Sequence, residues 1–567
     1  MTVKTQDGTS CEKELQHAGR GPQNTNGLKH NRKGYSTREG SKVPPHVIDK
    51  KEKRKWKIEY VEPYGRCTIA TQDIKEGEVL FVDHPVVTGP KQTSDVMCLA
   101  CYRRLESWDG YQCSKCRWPL CGPECEGRGY HPLECNAFAA SGYKPNQKDF
   151  SEAQYMYEAM LPLRCYCLTK MEPDKWKTLI AMESHNDLRR GTELWEREQT
   201  NVVDYLLKKV KLGVDEELLH TITGILDVNC HEVRSNLPGT QDQYLVRGIY
   251  PLCAMMSHFC VNNTHHTLMD DMTMVVIAST PIKKGEQLTA TYTHVLSATT
   301  ERRKHLKYGK FFDCACDRCK DPTELNMYFG ALRCSQPGCG GNILCTDPLA
   351  PANDGIWEST VERLNKLVYM ELRQAGEDDP VKLETIFKKY QYVFHPQHFH
   401  LVGIKHSLSQ MYGRLPGYIL TDLSDAQLLR KVTCCKDLLQ VLDVLDPGIT
   451  RLRGLTVYEL HAPILLQANR AFQNTAITKR EFLEQLHEAE GYLLKTVYCL
   501  KHEPLSSFEG EICKIARNSL QELQKWIQKV ETLPDSHFIP EKQEALPSQL
   551  SEEDLTLETL LKKLEEQ

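Results

Sequence analysis

No stretch of this sequence approaches the roughly 20 consecutive apolar residues that cross a bilayer. No apolar core follows the first residues, so neither a membrane anchor nor a secretory leader is expected. Outside residues 98–135 the cysteines show no evenly spaced framework, which argues against a disulfide-stapled secreted domain. Basic excess is missing too: 71 Lys and Arg stand against 76 Asp and Glu, a net charge of −5. A protein whose main business is wrapping nucleic acid is normally basic, so nucleic acid is an unexpected partner. These absences lead us to expect an intracellular chain, cytoplasmic or nuclear, whose 24 cysteines are reduced and serve as metal ligands and buried thiols.

What is present suffices for several cores, since 567 residues with 40% hydrophobic content correspond to about three or four domains. Residues 1–54 carry almost no aliphatic periodicity and are expected to be disordered. The basic run Lys50–Lys57 reads as a solvated lead-in to a strand, with nuclear import as the competing reading. From Trp56 short β-branched runs alternate with turn signals at Pro63-Tyr64-Gly65 and Glu76-Gly77-Glu78. Residues 136–245 read mainly as helices, and strand patterns resume near Gly248. One β-domain, 55–97 and 246–295, is therefore expected to be split by inserts. Residues 346–530 hold long amphipathic helices between Pro/Gly breaks such as Asp446-Pro447-Gly448, a pattern that suggests a tetratricopeptide-like stack. The tail, 531–567, is acidic and expected to be mostly disordered, with a short helix around Leu555–Leu564.

The segment most specific in chemistry is Cys98–Cys135, with the pairs Cys98/Cys101, Cys113/Cys116, Cys121/Cys125 and His131/Cys135. Four close pairs match two tetrahedral zinc ions, because a turn of two or three residues brings both members of a pair to one ion. Spacing alone leaves open which pairs share an ion. The segment has few aliphatic residues, so metal binding must supply much of its folding free energy. A third group, Cys314, Cys316 and Cys319, lacks a fourth ligand, for which Cys260 is the best candidate. Cys334 and Cys339 among glycines resemble half a zinc ribbon, but Cys345 stands alone and no metal is assigned there. His265 and His266 are adjacent on a strand, point to opposite faces and are read as surface residues.

With these motifs the chain resembles the SET-and-MYND-domain proteins of the arthropod-expanded kind over about residues 55–530. The resemblance implies an α+β multidomain fold. Its β-rich SET domain is split by a MYND zinc finger (98–135) and a helical insert (136–245), followed by a post-SET zinc region (296–345) and an all-α C-terminal domain. In that family the finger's pairs interleave, which would place Cys98, Cys101, Cys121 and Cys125 on one ion and Cys113, Cys116, His131 and Cys135 on the other. GRCTIATQDIKEGEVLF is similar to the opening cofactor loop, with Gly65 and Arg66. SHFCVNN is similar to the Asn-His-Ser-Cys element, with Ser257, His258 and Cys260, and GEQLTATY ends in Tyr292 at the place of the active-site tyrosine. Asn229 is placed like the asparagine that helps hold the methyl donor, and Phe312 like an aromatic wall of the lysine channel. Each has a plainer reading: Tyr292 as strand packing, His258 as a buried histidine, Asn229 as a turn former.

The activity so implied is S-adenosylmethionine-dependent methylation of a protein lysine, with three structural zinc ions. Finger and helical C-domain would select the protein, a proline-rich peptide being the finger's ligand and the chain a monomer. An amine must attack the sulfonium methyl in line. Presenting a neutral lysine at pH 7 costs about 4.6 kcal/mol, which an apolar channel reduces. Tyr292 would act by proximity, positioning amine and methyl group. Four departures from the family favour a rival, a non-catalytic scaffold that binds partner proteins. Cys67 replaces a glycine in the opening loop and would crowd the cofactor, Ser257 replaces the asparagine, and Phe259 replaces a serine. Lys310 takes the place of a tyrosine that Tyr308 would restore only if the backbone shifted, and its cation would repel an incoming ammonium.

Overall fold

The computed structural model describes residues 54–533, apart from 63, 93, 95, 108–109, 146–153, 237–242, 346, 350–355 and 377. The expectations for 1–54, for most of the run Lys50–Lys57 and for the acidic tail with Leu555–Leu564 therefore lie almost wholly outside the described residues.

The β-domain is discontinuous in sequence and continuous in space. Strands β1 (Trp56–Val61) and β2 (Gly65–Ala70) form an antiparallel hairpin. Gly65 ends its turn at φ +78°, where an added Cβ would meet no atom within 4 Å, so the left-handed backbone selects glycine there. β3 (Val79–Asp83) pairs with β9 (Met274–Ala278), which pairs with β8 (Thr264–Leu268). β4 (Thr88–Pro90) pairs with β6 (Gln243–Ile249), whose other neighbour is β5 (Cys230–Asn236). Two sheets are thus shared between the segment before the finger and the one after the helices. The second half of the scaffold begins at Cys230, earlier than the strand signal near Gly248 suggests, because β5 follows the helix Glu216–Asn229 with no intervening turn.

The finger packs on the scaffold instead of hanging from it. Trp118 is fully buried against Phe138 and Tyr157, with ring centroids 5.5 and 5.6 Å away. Beyond the β-domain and its inserts, helices Ile356–Ala375, Pro380–Tyr390, Phe399–Met411, Asp425–Leu445, Arg451–Gln473, Lys479–Leu500 and Phe508–Thr532 each pack on the next. Capping boxes at Ser424/Gln427 and Thr478/Glu481 start two of them. The helices at 380 and 399 have shorter apolar patterns than the five legible from periodicity. The sequence signal of the first is its cap, where Asp379 accepts from the Lys382 amide and Pro380 opens the first turn.

The helical domain is clamped to β8. Glu503, 3% exposed, accepts from Thr267 Oγ1 (2.7 Å) and Arg451 Nη2 (3.1 Å) and lies 3.0 Å from His265 Nε2. Gly448 lies so close that an added Cβ would sit 1.8 Å from the Ser279 carbonyl oxygen. His265 is therefore an interface residue, and His266 faces the cleft described below. Neither is the surface residue expected, although they do point to opposite faces. Burial raises the Glu503 carboxyl's pKa, but the His265 hydrogen bond, the charges of Arg451 and His265 and the Thr267 hydroxyl outweigh it and bring it to about 2. A depressed carboxyl contributes stability that is complete above its ordinary range and is lost as pH falls from there toward 2. The size is about 3 kcal/mol at most. Glu503→Gln should therefore cost stability at neutral pH and progressively less in acid, read by urea unfolding across that interval. A difference independent of pH would refute the assignment.

Candidate active site and metal centres

Three clusters of thiol and imidazole groups form, each with all its ligand atoms within 4.8 Å of one another. They are Cys98, Cys101, Cys121, Cys125; Cys113, Cys116, His131, Cys135; and Cys260, Cys314, Cys316, Cys319. Sulfur separations of 3.5 Å (Cys101–Cys121), 3.7 Å (Cys113–Cys135) and 3.5 Å (Cys260–Cys319) fit the roughly 3.8 Å edge of a tetrahedron with 2.3 Å zinc–sulfur bonds. The pairs in the finger interleave, and Cys260 joins the third group from the strand segment opposite. Cys334, Cys339 and Cys345 belong to none of these clusters among the described residues. The first two flank the turn between β11 (Leu332–Arg333) and β12 (Asn342–Ile343).

Residues invisible to motif reading hold the clusters. His131 turns Nε2 toward Cys116 (3.7 Å) and Nδ1 toward Glu134 (3.2 Å), the arrangement of a metal-bound imidazole oriented by a carboxylate. Glu134 is gripped by Arg164 through Nε (2.8 Å) and Nη2 (2.6 Å), with all three side chains fully buried. At the third cluster Arg302 Nε donates to Cys260 Sγ (3.2 Å), and Arg302 and Arg318 share Glu324. An arginine beside a four-thiolate set offsets part of its negative charge.

The remaining chemistry converges on one cleft of about 1410 Å³ between the β1–β2 hairpin, the end of helix Glu216–Asn229 and the segments 254–259, 290–297 and 309–316. Gly65, Arg66, Asn229, Ser257, His258, Tyr292 and Phe312, dispersed over nearly 250 positions, all line it. Their meeting depends on a crossing in which β7 (Ser257–His258) runs parallel to β10 (Thr289–Ala290). Asn263 holds that crossing by donating to the Gln287 carbonyl (2.8 Å) and accepting from the Thr289 amide (2.8 Å). Beside the crossing, His258 Nδ1 accepts the Tyr292 amide (2.9 Å), so its Nε2 bears the proton and donates to Cys260 Sγ (3.3 Å). The third cysteine cluster and the Tyr292 backbone are one imidazole apart. The Tyr292 hydroxyl donates to the Met256 carbonyl, and burial raises the phenol's pKa and keeps it protonated. Asn229 commits its amide nitrogen to the carbonyls of Glu183 (2.9 Å) and Ile225 (2.8 Å), leaving its oxygen for a ligand. Arg66 donates to the Ala181 carbonyl (2.8 Å) across one end of the cleft.

The expected obstructions resolve differently. Cys67 is buried and absent from the cleft wall. Its sulfur accepts the Ser257 hydroxyl at 2.9 Å, so two departures from the family pattern complement each other beneath the floor instead of crowding the cavity. Phe259 does line the cleft and packs on Tyr64 at 6.0 Å. Tyr308 is 68% exposed and lines a shallower neighbouring groove, so it does not stand in for the missing tyrosine. Lys310 lies in the wall. Its Nζ donates to the carbonyls of Asp227 (3.2 Å) and Val228 (2.6 Å) and sits 5.8 Å from the Tyr292 ring centre. His231, which sequence reading missed, and His266, which it read as a surface residue, also line the cleft, where burial lowers their pKa values to about 4 and about 3 and keeps both imidazoles neutral near pH 7. No described helix is long and apolar enough to cross a membrane.

Comparison with known proteins agrees with this architecture. Residues 65–293 match the SET domain family model. Over 308 residues the chain is 30% identical to the SET domain-containing protein SmydA-8, isoform B, of Drosophila melanogaster, covering 52% of this chain and 64% of that protein. It is 25% identical to the Homo sapiens histone-lysine N-methyltransferase SMYD1 over 292 residues, 47% of this chain and 56% of that one. Identity to the Gallus gallus N-lysine methyltransferase SMYD2 is 26% over 279 residues, 46% of this chain and 60% of that one. The chain thus spans less than two thirds of the length of each of these relatives. Residues 65–293 thus resemble a SET domain, with the cysteine finger inserted within the matched stretch.

Proposed function

We propose that the chain is an S-adenosylmethionine-dependent protein-lysine N-methyltransferase. The observation that carries this reading is the convergence of Gly65, Arg66, Asn229, Ser257, His258, Tyr292 and Phe312 on one cleft with Cys67 turned away beneath it. The methyl donor supplies an electrophilic sulfonium carbon. Arg66, the Asn229 amide oxygen and the backbone around Ser257 and His258 hold its polar end, and Phe312 stands as an aromatic wall of the cleft beside His258. Tyr292, fixed through the Met256 carbonyl and the His258 imidazole, forms a rigid wall at which a lysine amine is aligned. The neutral imidazoles of His231 and His266 offer acceptors, not charge, to the incoming side chain. The three clusters hold structural zinc, since each supplies four protein ligands. The finger and the helical domain, both packed on the scaffold, select the protein substrate.

Lys310 favours a second reading, a partner-binding scaffold, because a half-buried cation stands in the wall beside Tyr292. Calorimetry with S-adenosylmethionine on the zinc-loaded protein separates the two. Saturable binding in the micromolar range supports the transferase, and absence of heat overturns it in favour of the scaffold.

A further inference from the structure

Lys310 has no use in the chemistry just described, and its setting is specific. Its ammonium is held by two backbone carbonyls at the end of helix Glu216–Asn229, where the helix dipole is negative, and it lies over the Tyr292 ring. Both acceptors are dipoles, so the positive charge is held without an ion-pair partner. Arg66, another cation lining the cleft, is turned onto the Ala181 carbonyl (2.8 Å), and other charges around the cleft have partners outside it. Asp227 pairs with Arg189 (3.1 Å), Asp313 with Arg303 (3.6 Å) and Lys307 (3.8 Å), and Glu232 with Lys91. Glu183 and Glu301 are exposed, so water screens them. The Arg302 guanidinium is bound to Glu324 and cluster thiols. Among these wall groups, half-buried Lys310 is the cation placed over the Tyr292 ring, where a ligand would feel it.

A sulfonium methyl donor is cationic at sulfur, whereas the product of methyl transfer is a neutral thioether of the same shape. The two differ at the centre that must lie near Tyr292 for transfer to occur. A weakly screened cation there raises the free energy of the sulfonium form and leaves the thioether nearly unaffected. Resting on the cofactor reading above, we infer that Lys310 makes this cleft selective for S-adenosylhomocysteine over S-adenosylmethionine, so that the protein retains its product and responds to the ratio of the two.

The test is isothermal titration of the zinc-loaded full chain with each compound, for the wild type, Lys310→Met and Lys310→Arg. The wild type should bind S-adenosylhomocysteine about tenfold or more tightly than S-adenosylmethionine. Lys310→Met should bring the two within about threefold, chiefly by tightening the sulfonium compound, and Lys310→Arg, which keeps the charge, should preserve the preference. Equal wild-type affinities, or a preference unchanged in Lys310→Met, would overturn the inference while leaving the cofactor reading standing. Binding of neither compound overturns both. Unchanged zinc content and unfolding temperature show that Lys310→Met is folded, and if it is not, loss of the preference in Lys310→Arg alone counts against the inference.

Discussion

Arg164→Met is expected to lower the unfolding free energy by about 3–5 kcal/mol, among the largest effects available to a substitution outside the metal ligands. All five guanidinium N–H donors are used: Nε and Nη2 on Glu134, Nη2 also on the Leu99 carbonyl (2.6 Å), and Nη1 on the Thr88 carbonyl (2.8 Å) and the Tyr102 hydroxyl (2.7 Å). One side chain of the helical insert thereby joins the finger, strand β4 and the carboxylate that orients His131. Methionine preserves much of the volume but leaves Glu134 as a buried carboxylate without its cation, the costly outcome for an internal pair. Removing both charges, as Arg164→Met with Glu134→Gln, should cost less than the sum of the single changes. Urea unfolding with parallel zinc analysis decides the matter. A loss below about 1 kcal/mol, or strict additivity, would mean that the network does not join the finger to the scaffold.

The second large effect concerns turnover. Tyr292→Phe is expected to reduce methyl transfer at least about 100-fold while S-adenosylmethionine affinity stays within about threefold of wild type and zinc content is unchanged. The hydroxyl is buried and committed to the Met256 carbonyl, so its removal frees that carbonyl and loosens the wall against which the amine is aligned, without touching the cofactor's polar contacts. Single-turnover kinetics on an accepted substrate separates this from a binding defect. Unchanged turnover would remove Tyr292 from its assigned place.

Legibility in the sequence followed distance along the chain. Cysteine pairs two or three residues apart announce chelation because the turn between them does the geometry, and five of the seven C-terminal helices announce themselves by period. Helices Pro380–Tyr390 and Phe399–Met411 carry shorter patterns, and β5 is masked by the helix that runs directly into it. The Glu134–Arg164 pair has no local signature, since a charged residue on a helix ordinarily reads as a solvated one. The Ser257–Cys67 contact spans 190 positions, so each residue looked by itself like damage to a cofactor loop.

The sequence by itself determined the close ligand pairs and the long helices, because thiol spacing and apolar period are properties of a few consecutive residues. Tertiary structure decided which side chains share a cleft, that Cys67 lies beneath its floor, and that the Lys310 ammonium is stationed beside Tyr292. Those facts depend on strands far apart in the chain crossing at β7 and β10, and no local propensity encodes where a crossing brings two side chains together.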